Sequence, residues 1–328
     1  MPRDGGDPLT IRTDQFTFSD PSEVIATDPG WEYEIIQLSP GSLGYALRRF
    51  EVAGIVLEWV FCKAAVAVHE TKLVDDLAIV VPLEFSAPSK LGGQKVGFGN
   101  IGLQVNGVDF CHRTEPGVFT LFITVQRALA DTMGWINEPK NTFLVEVSKR
   151  QLRVSLGRIE TAVRLLELSR EVGVPDQEIP ALQGLIESIG DLLAPVEAAD
   201  NRNALHGQAR RNMALVTAVR RRLLTGEWVD ASQIDQLARS LGVSQRTLFR
   251  AISVSIDMAP RAYQKRLKLH LVQKALQTAT PDTASVTKIA MEHGFWHLGR
   301  FSQEFREAFG KNPRDALDTS PSRQQDQT

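Results

Sequence analysis

The chain has 328 residues, of which 43% are hydrophobic and 23% charged, a balance that excludes a wholly disordered or fibrous protein and bounds it to two or three globular domains. No apolar run approaches the ~18 residues of a membrane span, the start MPRDGGDPLT lacks an apolar signal core, and two cysteines, Cys62 and Cys111, are too few for a disulfide framework; together these point to the cytoplasm and away from membranes. The net charge of −2 conceals an asymmetry: residues 210–315 hold 18 Lys/Arg against 9 Asp/Glu, a net +9 that leaves −11 elsewhere, as expected of polyanion binding at one end or of a solvated helical surface.

In chain order, residues 1–15 are polar and Gly/Pro-bearing, and read as a flexible terminus. From 16 to 150 short apolar runs follow one another: EYEIIQL (32–38), GIVLEWVF (54–61), AAVAV (64–68), LAIVVPL (77–83), KVGFG (95–99) and VFTLFITV (118–125). SPGS, SAPS, LGGQ and TEPG punctuate them, so the region predicts an antiparallel sandwich or barrel, with a helix over 126–135. After 150 the period becomes helical. Leu152, Leu156, Ile159, Ala162, Val163, Leu166 and Leu168 form one stripe, and Leu182, Leu185, Ile186, Ile189 and Leu192 another, separated by a turn at 172–178. These two helices, in a region spanning 151–206, either form a dimer seam or cover the barrel. EAADNRNALHG (197–207) reads as a linker, 207–318 as an all-helical domain, and 319–328 as a disordered tail.

The helical domain contains one unit twice. Ala238 and Gly242 correspond to Ala290 and Gly294 at an offset of 52; Leu248, Ile252, Ile256 and Pro260 correspond to Phe301, Phe305, Phe309 and Pro313 at 53. Each copy predicts two helices joined by a tight turn at its Gly, which can take the left-handed conformation. Ser232 and Ser244 are placed to cap the helices of the first copy, and Ser285 the first helix of the second. Val286, Ile289, Ala290 and Met291 supply its inner face. Between the copies APRAYQKRLKLHLVQKALQTA (259–279) predicts one long helix opened by Pro260, with Tyr263, Leu267 and Leu271 as its stripe. What remains outward on the second helices is polar and basic: Gln245, Arg246 and Arg250, with Phe249 as an apolar exception, then His297, Arg300 and Gln303. Arg reads guanine edges, Gln can read adenine, and an apolar group can meet a thymine methyl.

The stretches LARSLGVSQRTLFRAI and IAMEHGFWHLGRFSQEFREAFGKNPRDAL, with the Pro-initiated helix between them, resemble the DNA-binding domain of the AraC/XylS family of bacterial transcription regulators. The resemblance covers about 210–317. It implies an α+β multidomain protein: a C-terminal all-α domain with two helix-turn-helix units in successive major grooves, and a variable N-terminal domain, cupin-like in many members, that senses or dimerises. Partners implied are double-stranded DNA, a small-molecule or protein effector, RNA polymerase and a second copy of the chain. The DNA-binding candidates are Ser244, Gln245, Arg246, Phe249, Arg250, His297, Gly299, Arg300 and Gln303. Two departures stand out. Trp296 occupies a turn position where a polar cap is common, and Gly299 lies inside a recognition helix.

Other readings carry less. His293 and His297 are separated by Gly294, and neither His69-Glu70 nor Cys111-His112 forms a His-x-His metal pair, so no metal or cofactor is expected. GFGNIG (97–102) reads as a strand connection rather than a nucleotide loop. Arg220, Arg221 and Arg222 either contact phosphate or end a solvated helix. The competing function is a cupin-type enzyme tethered to DNA, or a regulator whose N-terminal domain binds a protein. The absence of a convergent ligand set in 16–150 favours a non-enzymatic regulator.

Overall fold

The computed structural model describes residues 9–21, 24, 31–84, 86–104, 109–135, 143–198, 207–224, 231–279 and 285–318. The expectations for residues 1–8, for the middle of the linker and for the tail lie outside these. The strands are β1 (Ile11–Phe18), β2 (Trp31–Gln37), β3 (Tyr45–Val52), β4 (Ile55–Cys62), β5 (Val66–Lys72), β6 (Leu77–Pro82), β7 (Ser89–Leu91), β8 (Gln94–Val96), β9 (Asn100–Gln104), β10 (Asp109–Arg113), β11 (Val118–Val125) and β12 (Phe143–Glu146). They form a seven-stranded sheet, β1-β3-β4-β11-β6-β9-β12, and a five-stranded sheet, β2-β5-β10-β7-β8. Neighbouring strands are antiparallel. The GFGNIG segment is a connection between β8 and β9, where Gly99 takes φ 108° and the Asn100 side chain accepts from the Gly97 N–H.

The two-residue period of a strand divides each sheet into two faces. In β4, Ile55 and Leu57 point outward into an apolar cluster, whereas Glu58, Val60 and Cys62 point between the sheets. The outward face of the large sheet is covered by α2 (Lys149–Val172) and α3 (Glu178–Ala198), which follow a short α1 (Arg127–Thr132). Ile159, Val163, Leu185 and Ile189 share one cluster with Leu57, Ile79 and Ile123. The helix α2 stops at Gly173, whose φ of 72° lets its N–H bond back to the Ser169 carbonyl. The two helices therefore cover the barrel with their predicted stripes, except that Leu168, expected in the first, is carried by the turn of the helix to the opposite face. They also expose Val154, Leu165 and Leu168 on the opposite side.

The C-terminal helices are α4 (Gly207–Leu224), α5 (Ala231–Ser240), α6 (Gln245–Ile256), α7 (Pro260–Thr278), α8 (Val286–Glu292), α9 (Leu298–Phe309) and α10 (Pro313–Asp318). They lie on the outward face of the small sheet. Ile36, Ala67 and Cys111 from that sheet share a cluster with Val216 and Val219 of α4, Ile252 and Ile256 of α6, and Tyr263 and Leu267 of α7. The order of layers is thus α2 and α3, large sheet, small sheet, then α4, α6 and α7.

The long helix α7 begins with Pro260 at its first turn, as expected. Its single predicted stripe requires correction. Tyr263 and Leu267 belong to the core of the first unit, but Leu269, Val272 and Leu276 belong to that of the second, and Leu271 is only half-buried. The helix is a shared wall between two cores, so its buried face rotates along its length. Met291, expected on the inner face of α8, is 40% exposed; Ile289 and Ala290 carry that packing. The side chain of Ser232, expected to cap α5, lies outside the described residues.

Candidate nucleic-acid interface

The two units close their turns with the same backbone bond. In the first, Gly242 takes φ 67° and the Val243 N–H bonds to the Ala238 carbonyl at 3.0 Å. In the second, Gly294 takes φ 81° and the Phe295 N–H bonds to the Ala290 carbonyl at 2.9 Å. Ala238 and Ala290 are buried where the paired helices meet. The Ser244 hydroxyl accepts from the Thr247 N–H and starts α6; the Ser285 hydroxyl accepts from the Lys288 N–H and starts α8. Leu248, Ile252 and Ile256 are fully buried under α6. Under α9 the rings of Phe295, Phe301, Phe305 and Phe309 pack in sequence, tilted or edge to face, at 5.1, 5.7 and 4.8 Å between centroids.

The outward faces hold most of the predicted readers. Arg246 and Arg250 are exposed on α6, with Gln245 half-buried beside them. Phe249 is half-buried and packs against the first core, so its ring is part of the scaffold as well as the rim. On α9, Gly299, Arg300 and Gln303 are exposed, and a Cβ built on Gly299 would meet nothing within 4 Å. His297 stands at the cap position of α9 and makes no side-chain cap bond, and Trp296 before it is 68% exposed. The second turn therefore lacks the hydroxyl cap of the first, as its sequence foretold.

The α9 candidates are held by acidic neighbours one turn on. Arg300 Nε donates to Glu304 Oε1 at 2.8 Å, and Gln303 Nε2 donates to Glu307 Oε1 at 2.9 Å. Lys265 of α7 also pairs with Glu304; burial works to raise that carboxyl, and the two cations outweigh it and lower it. A cleft of about 360 Å³ opens here between α7 and the second turn, lined by Arg261, Lys265, Lys268, Trp296, His297 and Arg300. The three α7 cations escaped the sequence reading. Their spacing of four and three residues, on the side away from Tyr263 and Leu267, is the signal that could have found them.

Arg220 is a correction. It does not offer its charge to phosphate: it pairs with Glu34 of β2, and its side chain is 16% exposed at the boundary between the small sheet and α4. His270 Nε2 lies 3.6 Å from the other oxygen of Glu34. Burial alone would raise that carboxyl, but His270 and Arg220 hold it down at about 2. Further polar contacts cross the same boundary. Lys311 pairs with the buried Asp20 at 2.8 Å, Lys90 with Asp257 at 2.9 Å, and Gln37 Nε2 donates to the Ala308 carbonyl at 3.1 Å. His69 Nε2 lies 3.2 Å from the Tyr263 hydroxyl, and Asn212 Nδ2 donates to the Gly92 carbonyl at 2.9 Å. A Cβ on Gly92 would stand 2.1 Å from the Ala209 carbonyl oxygen, so the β7–β8 turn meets α4 backbone to backbone.

Between the sheets lies a mainly apolar cavity in two lobes, of about 70 and 60 Å³. Glu70, His112, Thr114, Thr120 and Phe122 line both lobes. Strand β5 is the wall shared with the helices: Val66, Val68 and Glu70 face the cavity, while Ala67 and His69 face the helical domain. Among the described residues no three His, Cys, Asp or Glu side chains are grouped to hold a metal ion.

A family model for a helix-turn-helix domain matches residues 237–319, the segment that holds both turns. Residues 237–319 are a helix-turn-helix domain of the AraC/XylS type. Among curated proteins the chain is similar to the XylDLEGF operon transcriptional activator 2 of Pseudomonas putida, 34% identical over 26% of this chain and 54% of that protein. It is also similar to a probable thc operon regulatory protein of Rhodococcus erythropolis, 37% identical over 27% of each chain. The matched part thus spans about half of the first relative and about a quarter of the second. Among solved structures, ToxT from Vibrio cholerae O395 aligns over 90% of this chain and 99% of its own at 12% identity and a TM-score of 0.30. The AraC-like transcriptional activator CuxR aligns over 69% of this chain and 80% of its own at 13% identity and a TM-score of 0.34. At such scores these two likenesses decide nothing about how the domains are placed. No helix among the described residues is long and apolar enough to cross a membrane.

Proposed function

We propose that the chain is a sequence-specific DNA-binding transcription regulator, non-enzymatic, in which α6 and α9 each read a short block of bases. The observation that carries this reading is the pair of equivalent turns, each ahead of a helix with exposed arginine: Arg246 and Arg250 on one, Arg300 on the other. Arg246, Arg250, Gln245, Arg300 and Gln303 are assigned to base edges. Ser244, His297 and Gly299 sit at helix starts, where backbone N–H groups favour phosphate. Phe249 serves packing first. The Arg261, Lys265 and Lys268 row extends the phosphate-binding surface. Residues 207–318 form the DNA-binding unit and 16–150 the sensing unit, with the cytoplasm as the place of action.

The cavity between the sheets supports small-molecule sensing over capture of a protein partner. Its wall β5 also supports the helical domain, so a ligand that shifts Glu70 or Val68 also shifts His69 and Ala67 against Tyr263 and the α4–α7 core. Binding site selection on the full chain tests the reading. It predicts one motif with two conserved blocks about one helical turn apart, on the order of 34 Å.

The exposed stripe of α2 supports a homodimer. Leu165 and Leu168 are 45% and 53% exposed, and large apolar side chains grouped on a surface favour a partner. Sedimentation equilibrium is expected to show a dimer for the wild type and a monomer for Leu165→Glu combined with Leu168→Glu. An unchanged dimer in the double variant places the seam elsewhere.

A further inference from the structure

We propose that the cavity between the sheets takes a compact apolar amine, with the buried carboxylate of Glu70 as the anchor for its ammonium group. The inference rests on the reading of that cavity as the sensing site and names the class of ligand it takes. The lining is apolar apart from a few groups, and those decide the sign of charge that fits. Glu58 and Glu70 are the acids among the described lining residues, and neither Lys nor Arg is among them. Glu58 is already matched by Arg49 at 3.2 Å from the strand beside it. Glu70 is 3% exposed and has no Lys or Arg paired with it among the described residues. It accepts a hydrogen bond from the Gln104 amide, and His112 Nδ1 lies 3.8 Å from the same oxygen, too far to bond.

Two further atoms make the place look built for a donor. His112 Nδ1 and Gln104 Oε1 are buried and have no hydrogen-bond partner among the described residues. Unpaired buried polar atoms are costly; Gln104 Oε1 accepts, His112 Nδ1 accepts in the tautomer protonated at Nε2, and polar ligand hydrogens can satisfy both. Burial lowers the His112 imidazole to about 4, so at neutral pH it is uncharged and does not neutralise Glu70. Burial likewise raises the Glu70 carboxyl, to about 7, against the pull of Gln104. An ammonium group entering beside it would bring the missing positive charge and complete the set of donors. A carboxylate ligand would instead bury a third carboxylate beside Glu70 and Glu58, with no Lys or Arg among the described lining residues to meet it. Each lobe is small, about 70 and 60 Å³, and Glu70 lines both, which suits a compact ligand.

The test is calorimetry on the full chain with benzylamine and cyclohexylamine, set against benzyl alcohol and benzoate as neutral and anionic counterparts. The amines are expected to bind about tenfold or more tighter than the alcohol, a charge-assisted contact being the difference, and benzoate is expected not to bind. Glu70→Gln keeps the shape and removes the charge; it is expected to abolish the preference for amine over alcohol. The wild-type comparison stands even if that variant fails to fold. Binding of benzoate, equal binding of amine and alcohol, or binding of none of the four overturns the amine assignment. A second readout separates it from the sensing reading. If the amines bind through Glu70 but leave DNA affinity unchanged, the amine assignment stands and the sensing role fails.

Discussion

Replacing Arg220 with Ala is expected to destabilise the protein by about 3–5 kcal/mol, the cost of leaving a buried charge without its partner. Glu34 is 8% exposed and has two charged or polar neighbours within ion-pair distance, Arg220 and His270. In Arg220→Ala the remaining imidazole is too distant, at 3.6 Å, to make a strong hydrogen bond. The carboxylate must then take a proton, draw in water or part the small sheet from α4. Urea unfolding followed by circular dichroism measures the loss. Glu34→Gln in the same chain should recover most of it, because the lone charge is gone. The same pair sets an acid dependence. The folded-state value of Glu34, about 2, lies below its ordinary value of 4.5. The unfolded chain therefore binds the proton more tightly. The stability Glu34 contributes, on the order of 3 kcal/mol, is complete above about 4.5 and is lost as pH falls through 4.5 towards 2. Glu34→Gln should flatten that part of the profile. If Arg220→Ala unfolds at the wild-type urea concentration, the boundary is not held as described.

Arg246→Ala and Arg300→Ala are each expected to cost about 1–3 kcal/mol of DNA affinity, five- to more than a hundredfold, and to relax preference at separate positions of the selected motif. The two are not equivalent in mechanism. Arg246 is exposed on α6. Arg300 is bonded to Glu304 and must exchange that carboxylate for a base edge. Glu304→Gln should therefore tighten DNA binding, whereas no such gain is available on α6. Binding site selection on the two Arg variants checks the assignment. It fails if both leave the motif unchanged or both alter the same base pairs.

Much of the helical domain is legible in the sequence because its constraints are local. A serine cap, a glycine in the left-handed region and apolar residues every four positions need no knowledge of distant chain, and Ser244, Gly242 and Leu248 lie where that logic puts them. The strands with continuous apolar runs are legible for a similar reason. β1 is not: IRTDQFTF is an edge strand that buries Ile11 and leaves Arg12 to Gln15 exposed, as edges do to prevent further pairing. DFCHR in β10 is also opaque, because its Cys111 packs on the helical domain while His112 faces the cavity. What local pattern cannot contain is the contact between domains. Arg220 looks like any member of an Arg-Arg-Arg helix end until Glu34, 186 residues earlier, is brought beside it. The cavity readers Glu70, Gln104 and His112 come from three strands and acquire meaning only when the two sheets face each other.

Titration of the full chain with its selected DNA duplex and with bulk DNA, from low to high salt, tests whether residues 207–318 bind duplex DNA through a basic surface and read it through α6 and α9. Each phosphate contact releases condensed counterions, so log affinity should fall linearly with log salt for both, with the selected duplex bound about 10³-fold or more tightly throughout. Binding that is indifferent to salt, or equal for the two DNAs at every salt concentration, would contradict the account.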